Sequence, residues 1–248
     1  MSSLFRLLPL LMLFFFACKK SDVASNQATP SEPVVYPVGQ PTGSAIVKTI
    51  GAGGGSIQTP DGAFQLVVPA SAVDAATEFT VQPVENTFKE DGPTAYRLLP
   101  EGVTFKKPMT ITLSYAGADL KGTAPELLSL VYQDGEGYFH QASATTVNKN
   151  TQKLSVQTTH FSDWTWCEMM NIYTDKTSLK PGESTELILK YYNGYSGNTK
   201  LADPRLGKLQ EYNVTGSVNG LKWRLAAGGA SIQPNLARCT NKEPSSVA

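Results

Sequence analysis

The chain has 248 residues, enough for one large or two ordinary domains that each bury a core of their own. Charged residues make up 17% of it, below the roughly 25% usual for globular proteins, while Ser, Thr, Gly and Pro are prominent, as suits β-modules with many turns. Its 21 basic and 21 acidic side chains cancel, so no net field exists to attract a phosphate backbone or an acidic substrate, and no nucleic-acid partner is expected.

Read from the amino terminus, Arg6 precedes an apolar run from Leu7 to Phe16 that is too short to span a bilayer and ends at Ala17-Cys18. This is the pattern of a cleaved signal peptide over residues 1–17. Phe15-Phe16-Ala17-Cys18 resembles a lipobox, in which a small residue before Cys admits the lipoprotein signal peptidase and the thiol receives a diacylglycerol. It departs from the usual pattern by having Phe at both positions before the small residue. The resemblance implies lipidation of Cys18 and a membrane partner through that anchor. Because Lys19 rather than Asp follows, it also implies an outer-membrane lipoprotein, on either face. A plain secretory signal cut near Ala17 is the alternative, and export follows from both.

Residues 18–45 read as a lipidated, disordered tether: they are rich in Ser, Pro, Thr, Gln and Ala, lack a sustained apolar period, and carry Pro30, Pro33, Pro37 and Pro41, which favour extended chain. From Ile46 onward, short apolar segments alternate with turn clusters. The expected strands are Ser56–Gln58, Phe64–Val68, Glu78–Val84, Tyr96–Leu99, Met109–Tyr115, Leu128–Gln133, Tyr138–Gln141 and Lys153–Gln157. Met109-Thr110-Ile111-Thr112-Leu113 alternates strictly, so one face should meet a core and the other water. Asp134-Gly135-Glu136-Gly137 and Asn148-Lys149-Asn150 supply tight hairpin connections. With no long amphipathic helix in the series, the expected fold is all-β, an antiparallel β-sandwich over residues 46–167.

Three stretches carry a family resemblance: Gly54-Gly55-Ser56-Ile57; Asp61-Gly62-Ala63-Phe64-Gln65-Leu66-Val67-Val68-Pro69-Ala70-Ser71-Ala72-Val73; and Leu99-Pro100-Glu101-Gly102-Val103-Thr104-Phe105-Lys106-Lys107-Pro108-Met109. Together they resemble the ZU-five domain, the β-sandwich shared by ankyrins, zonula occludens proteins and netrin receptors. Its most specific parts are the Val-Pro-x-x-Ala turn and the Pro-x-Gly-x-x-Phe-x-x-Pro segment, in which Phe105 is expected to plug the core. Ser71 stands where the family usually has Gly.

After Cys167 the pattern restarts. Leu179-Lys180-Pro181-Gly182-Glu183-Ser184 followed by Glu186-Leu187-Ile188-Leu189-Lys190-Tyr191-Tyr192 resembles the opening of a bacterial immunoglobulin-like module, with Trp223 as a core candidate. This smaller module is expected over residues 168–235. Past Pro234 too little patterned sequence remains for closing strands, so it reads as incomplete or completed by a partner, with residues 236–248 as a tail.

The sharpest chemical candidate is His160-Phe161-Ser162, since some eukaryotic members of the ZU-five family cut their own chain at this tripeptide. Carried over, Ser162 Oγ would attack the Phe161 carbonyl, His160 would assist proton transfer, and water would hydrolyse the ester. In a straight strand His160 and Ser162 share a face but lie about 6.5–7 Å apart, so the reaction needs a kink. A bulge is expected between Phe161 and the alternating Trp164 and Trp166 to bring all three aromatics to one side. The plainer expectation is a core Phe flanked by a satisfied His and Ser.

Other chemistry is thin. Once Cys18 is lipidated, Cys167 and Cys239 remain, either paired as a disulfide in an oxidising compartment or left as isolated thiols. Two histidines and no Cys pair at ligand spacing give zinc nothing to bind, and Asp134 with Glu136 read as a turn rather than a calcium loop. No metal or cofactor is assigned. Tyr191, Tyr192, Tyr195, Tyr212 and Trp223 read either as packing or as a sugar-stacking platform. The overall expectation is a non-catalytic, membrane-anchored envelope lipoprotein that displays its β-modules for protein or envelope contacts, with a module self-cleaving between Phe161 and Ser162 and a glycan-binding surface lipoprotein as the alternatives.

Overall fold

The computed structural model describes residues 33–142, 144–176, 178–194, 209–215, 230–233 and 238–241. Residues 1–17, expected to be a signal peptide, and Cys18, Tyr195 and Trp223 lie outside them. Within them the chain is all-β apart from a single 3-10 turn at Pro125–Leu127.

The first module is built from β1 (Ile46–Ile50), β2 (Gly55–Gln58), β3 (Phe64–Val68), β4 (Thr77–Val84), β5 (Ala95–Leu99), β6 (Met109–Ser114), β7 (Leu128–Gln133), β8 (Phe139–Gln141), β9 (Thr146–Asn148), β10 (Lys153–Thr158) and β11 (Asp163–Glu168). They form two antiparallel sheets, β1-β4-β5-β11-β7-β8 and β2-β3-β6-β10-β9, neither closed into a barrel. Alternation decides what faces inward. Met109, Ile111 and Leu113 of β6 are buried while Thr110, Thr112 and Ser114 between them are not. Opposite them, Phe79, Val81, Leu98, Leu130, Trp164 and Trp166 fill the same core. Each such buried side chain contributes about 1.5–3 kcal/mol relative to exposure. Phe105 plugs this core as expected, its ring 4.7 Å from Phe161 and 5.9 Å from Phe79.

β11 is buried along its whole length. Trp164 and Trp166 point into the sandwich. On the other face Cys167 joins Phe88, Val131, Phe139 and Leu209 in a second cluster, against which Tyr36, Met169 and Tyr192 pack. The outer face of the six-stranded sheet is therefore covered by the second module and by residues preceding β1.

That second module comprises β12 (Met170–Tyr173), β13 (Ser184–Glu186), β14 (Ile188–Gly194), β15 (Leu209–Thr215), β16 (Ala230–Gln233) and β17 (Arg238–Asn241), in sheets β12-β14-β15 and β13-β17-β16. β11 runs into β12 with Met169 alone between them, so the modules share a continuous chain path. Two expected boundaries change. β17 falls in the segment read as a tail, yet it pairs with β13 on one side and β16 on the other. Four residues with little alternation announce no strand, and pairing on both edges makes it one. The tether also ends earlier than expected: residues 36–43 are docked on the first sandwich as a strap.

Candidate functional site

A row of cross-strand partners traverses the outer face of the six-stranded sheet: Gln82 opposite Arg97, Arg97 opposite Asp163, Asp163 opposite Gln133, and Gln133 opposite Phe139. The strap lies across this row. Gln82 Nε2 donates to the Gly43 carbonyl (2.6 Å), Arg97 Nη2 to that of Gly39 (3.0 Å), and Gln133 Nε2 to those of Tyr36 (2.9 Å) and Pro37 (3.2 Å). Proline nitrogens carry no hydrogen, so backbone pairing is limited to one bridge, Pro41 opposite Val84 with Thr42 N donating to Pro83 O (3.0 Å) and Glu85 N to Gln40 O (2.8 Å), and side-chain donors take the carbonyls of Tyr36, Pro37, Gly39 and Gly43. The strap comes close: a Cβ on Gly39 would collide with the Glu85 carbonyl. Tyr36 N donates to Gly137 O (2.9 Å), and its ring lies 5.3 Å from Phe139 and 5.5 Å from Phe88.

At the centre of the row Arg97 grips Asp163 with two parallel bonds, Nε to Oδ1 at 2.9 Å and Nη2 to Oδ2 at 2.7 Å. Their side chains are 21% and 9% exposed. The hydrogen bond it donates to Asp163 pushes the pKa of the Arg97 guanidinium still higher against the opposing cost of burial. Beside the pair opens a cleft of about 400 Å³ lined by Val38, Glu101, Asp134 and Ser162 among others. Burial, reinforced by Asp163 and opposed by Arg97, raises the Glu101 carboxyl above its ordinary range.

His160-Phe161-Ser162 borders this cleft. The tripeptide is not in a straight strand: it is the crossing by which the chain leaves β10 in one sheet for β11 in the other. This crossing takes the place of the expected bulge, and it carries Phe161 into the core with Trp164 and Trp166. The backbone does turn here, yet it sends the two polar side chains to different partners. His160 Nδ1 meets Thr158 Oγ1 at 3.0 Å, while Ser162 Oγ donates to the Gln133 carbonyl. The His160 ring packs 4.7 Å from Tyr132 and 5.7 Å from Trp164, and burial followed by the nearby His140 lowers its pKa. The base is thus directed at Thr158 rather than at the nucleophile.

The remaining candidates separate similarly. Cys167 is a free, buried thiol whose burial pushes its pKa up, and its Sγ sits 3.7 Å from Met169 Sδ. Of the two readings for Cys167, disulfide with Cys239 or isolated thiol, the free and buried Cys167 is the isolated thiol, and the side chain of Cys239 lies outside the described residues. Asp134 closes its hairpin turn, accepting from Glu136 N and Tyr138 N at 2.9 Å each and meeting His140 Nε2 at 2.6 Å. Although burial opposes it, these bonds hold the carboxyl below its usual range. The aromatic platform divides between two faces. Tyr191 and Tyr212 are cross-strand partners stacked at 4.8 Å and 10°, whereas Tyr192 turns to the other face, 5.0 Å from Phe88 and bonded to Glu211. Among the described residues no three His, Cys, Asp or Glu side chains converge as metal ligands would.

The sequence reading missed the Gln82-Arg97-Asp163-Gln133 row. A signal existed in each strand, since alternation puts Arg97 between Tyr96 and Leu98, and Asp163 next to Trp164, on the non-core face. What joins them is strand order. The chain matches no known family model. Comparison with curated proteins likewise finds no match.

Proposed function

We propose that the chain is an exported lipoprotein of the cell envelope, anchored through Cys18, whose ZU-five-like sandwich and immunoglobulin-like module are contact surfaces for an envelope protein or glycan rather than an enzyme. The strap carries this reading. Residues 36–43, downstream of the lipobox-like Phe15-Phe16-Ala17-Cys18, are bonded across the sandwich, so a chain anchored at Cys18 would be joined to the first module within 36 − 18 = 18 residue steps. The ZU-five assignment gains support from Phe105, buried where its motif requires, and from the left-handed backbone at Ser71, where the family has Gly. Self-cleavage lacks comparable support, because His160 and Ser162 engage Thr158 and Gln133 instead of each other.

The test is metabolic labelling with an alkynyl palmitate. The wild-type chain should take the label and sediment with membranes, and Cys18→Ala should lose the label and most of the membrane-bound fraction. Label retained in Cys18→Ala would sink the anchor. On a denaturing gel the purified protein should run as one intact band, and two fragments absent from Ser162→Ala would restore the self-cleaving alternative.

A further inference from the structure

We propose that the strap is the resident occupant of a peptide-binding groove on the outer face of the six-stranded sheet, and that the groove's partner is an extended protein segment, Tyr-Pro-x-Gly with lysine or arginine at x. This rests on the contact-surface reading and gives that surface its class of partner, without depending on the anchor at Cys18.

The donors that hold the strap are in place without it. Arg97 is fixed by its two bonds to Asp163, Gln82 Nε2 also donates to the Pro83 carbonyl at 3.0 Å, and Gln133 Nε2 to the Gly137 carbonyl at 3.3 Å. Such a row is preorganised, and it reads carbonyls, which every extended chain presents. Two strap positions add sequence. Tyr36 packs on Phe88 and Phe139, whose rings lie 4.8 Å apart, with Tyr192 of the second module 5.0 Å from Phe88. Gly39 admits no larger residue, because a Cβ there would collide with the Glu85 carbonyl. Between them Pro37 keeps the chain extended.

The strap fits this groove incompletely. Val38 borders the cleft of about 400 Å³ yet is 61% exposed, so the space beside it stays open. Arg97 matches Asp163 there, whereas Glu101 and Asp134 add further carboxylates. Burial and then Asp163 raise the Glu101 carboxyl, the response of an anion short of positive charge. A long cationic side chain in place of Val38 reaches carboxylates that valine cannot. A segment bearing one therefore gains a contact the strap lacks, which offsets the strap's advantage of being tethered to its own groove. The strap of a second copy brings no such gain.

The experiment titrates two fluorescein-labelled peptides against the full chain in detergent and reads anisotropy: residues 34–43, and the same peptide carrying Val38→Lys. Gly39→Ala in the protein expels its own strap, so the unmodified peptide should bind that variant about tenfold more tightly than the wild type. The Val38→Lys peptide should bind it about fivefold more tightly again, the most that a partly exposed ion pair gives. Adding Glu101→Gln to the Gly39→Ala chain should erase that second difference, and adding Gln133→Ala should weaken both peptides. In the wild-type chain, saturating Val38→Lys peptide should speed hydrogen exchange at Tyr36 and Thr42, whose N–H groups are bonded in the seated strap. Unchanged exchange there would overturn the proposal whether or not Gly39→Ala folds, as would equal affinities of the two peptides. Wild-type dimers that vanish in Gly39→Ala would give the groove to a second copy and overturn the foreign partner. None of these readouts involves the lipid on Cys18, so the anchor stands or falls separately.

Discussion

Ser71 adopts φ 64° and donates its N–H to the Ala52 carbonyl at 2.8 Å. An L-residue in that region suffers a clash between Cβ and backbone that Gly escapes. Ser71→Gly should therefore raise stability by about 0.5–1 kcal/mol in urea denaturation, the relief of strain being partly offset by the added freedom of the unfolded chain. His160 argues in the other direction. Its buried Nε2 has no hydrogen-bond partner among the described residues, and its ring is enclosed by Tyr132, Trp164, Thr158 and, beyond Tyr132, His140. Because burial lowers its folded pKa, the unfolded chain binds the proton first as pH falls below its value of about 6.5. Stability should be unaffected by this group above that pH and be lost progressively on acidification until the folded pKa is passed. Denaturation midpoints at pH 7.5 and 5.5 test it: the wild type should lose more than His160→Gln. Phe105 and Phe161 were legible as core residues from the sequence, whereas the partners of His160 and Ser162 were not, since Thr158 and Gln133 reach them only through the sheet crossing.

At the level of elements, hydrophobic alternation located most strands of the first sandwich within a residue or two, because each has one face in a common core. It failed where that condition fails. β11 is covered on both faces, β9 is three residues beside a turn, and β17 owes its existence to two neighbours distant in sequence. A chain ending at Ala237 should leave β13 and β16 without their shared partner. Limited proteolysis should then cut within 170–194 faster than in the full chain while 46–168 stays resistant. Equal resistance would show that the second module does not need its last strand. Strand order also creates the Arg97–Asp163 pair, 66 residues apart in sequence. Asp163→Asn keeps the shape and removes the charge, stranding a guanidinium that is one-fifth exposed, and should cost about 2–3 kcal/mol, somewhat below the value for fully buried pairs.

For the whole molecule, the strap is tied to both modules through one aromatic cluster, Tyr36 on Phe88 and Phe139, and Phe88 on Tyr192. Tyr36→Ala should destabilise the protein by about 2 kcal/mol, the half-buried share of a large aromatic deletion, and hydrogen exchange should rise in β8 and β14 but not in β6. By itself the sequence determined the all-β class, most strands of the first sandwich and the plug at Phe105, together with the expectation of a lipid-bearing Cys18. These follow from local rules, periodicity and turn chemistry, that act between residues close in the chain. The tertiary structure decided that the tether is partly a strap, that Cys167 is sealed as a free thiol, that His160 and Ser162 face apart, and that Arg97, Asp163 and Gln133 form one row. Each depends on which strands become neighbours and which faces are covered, and that is set by the packing of segments far apart along the chain.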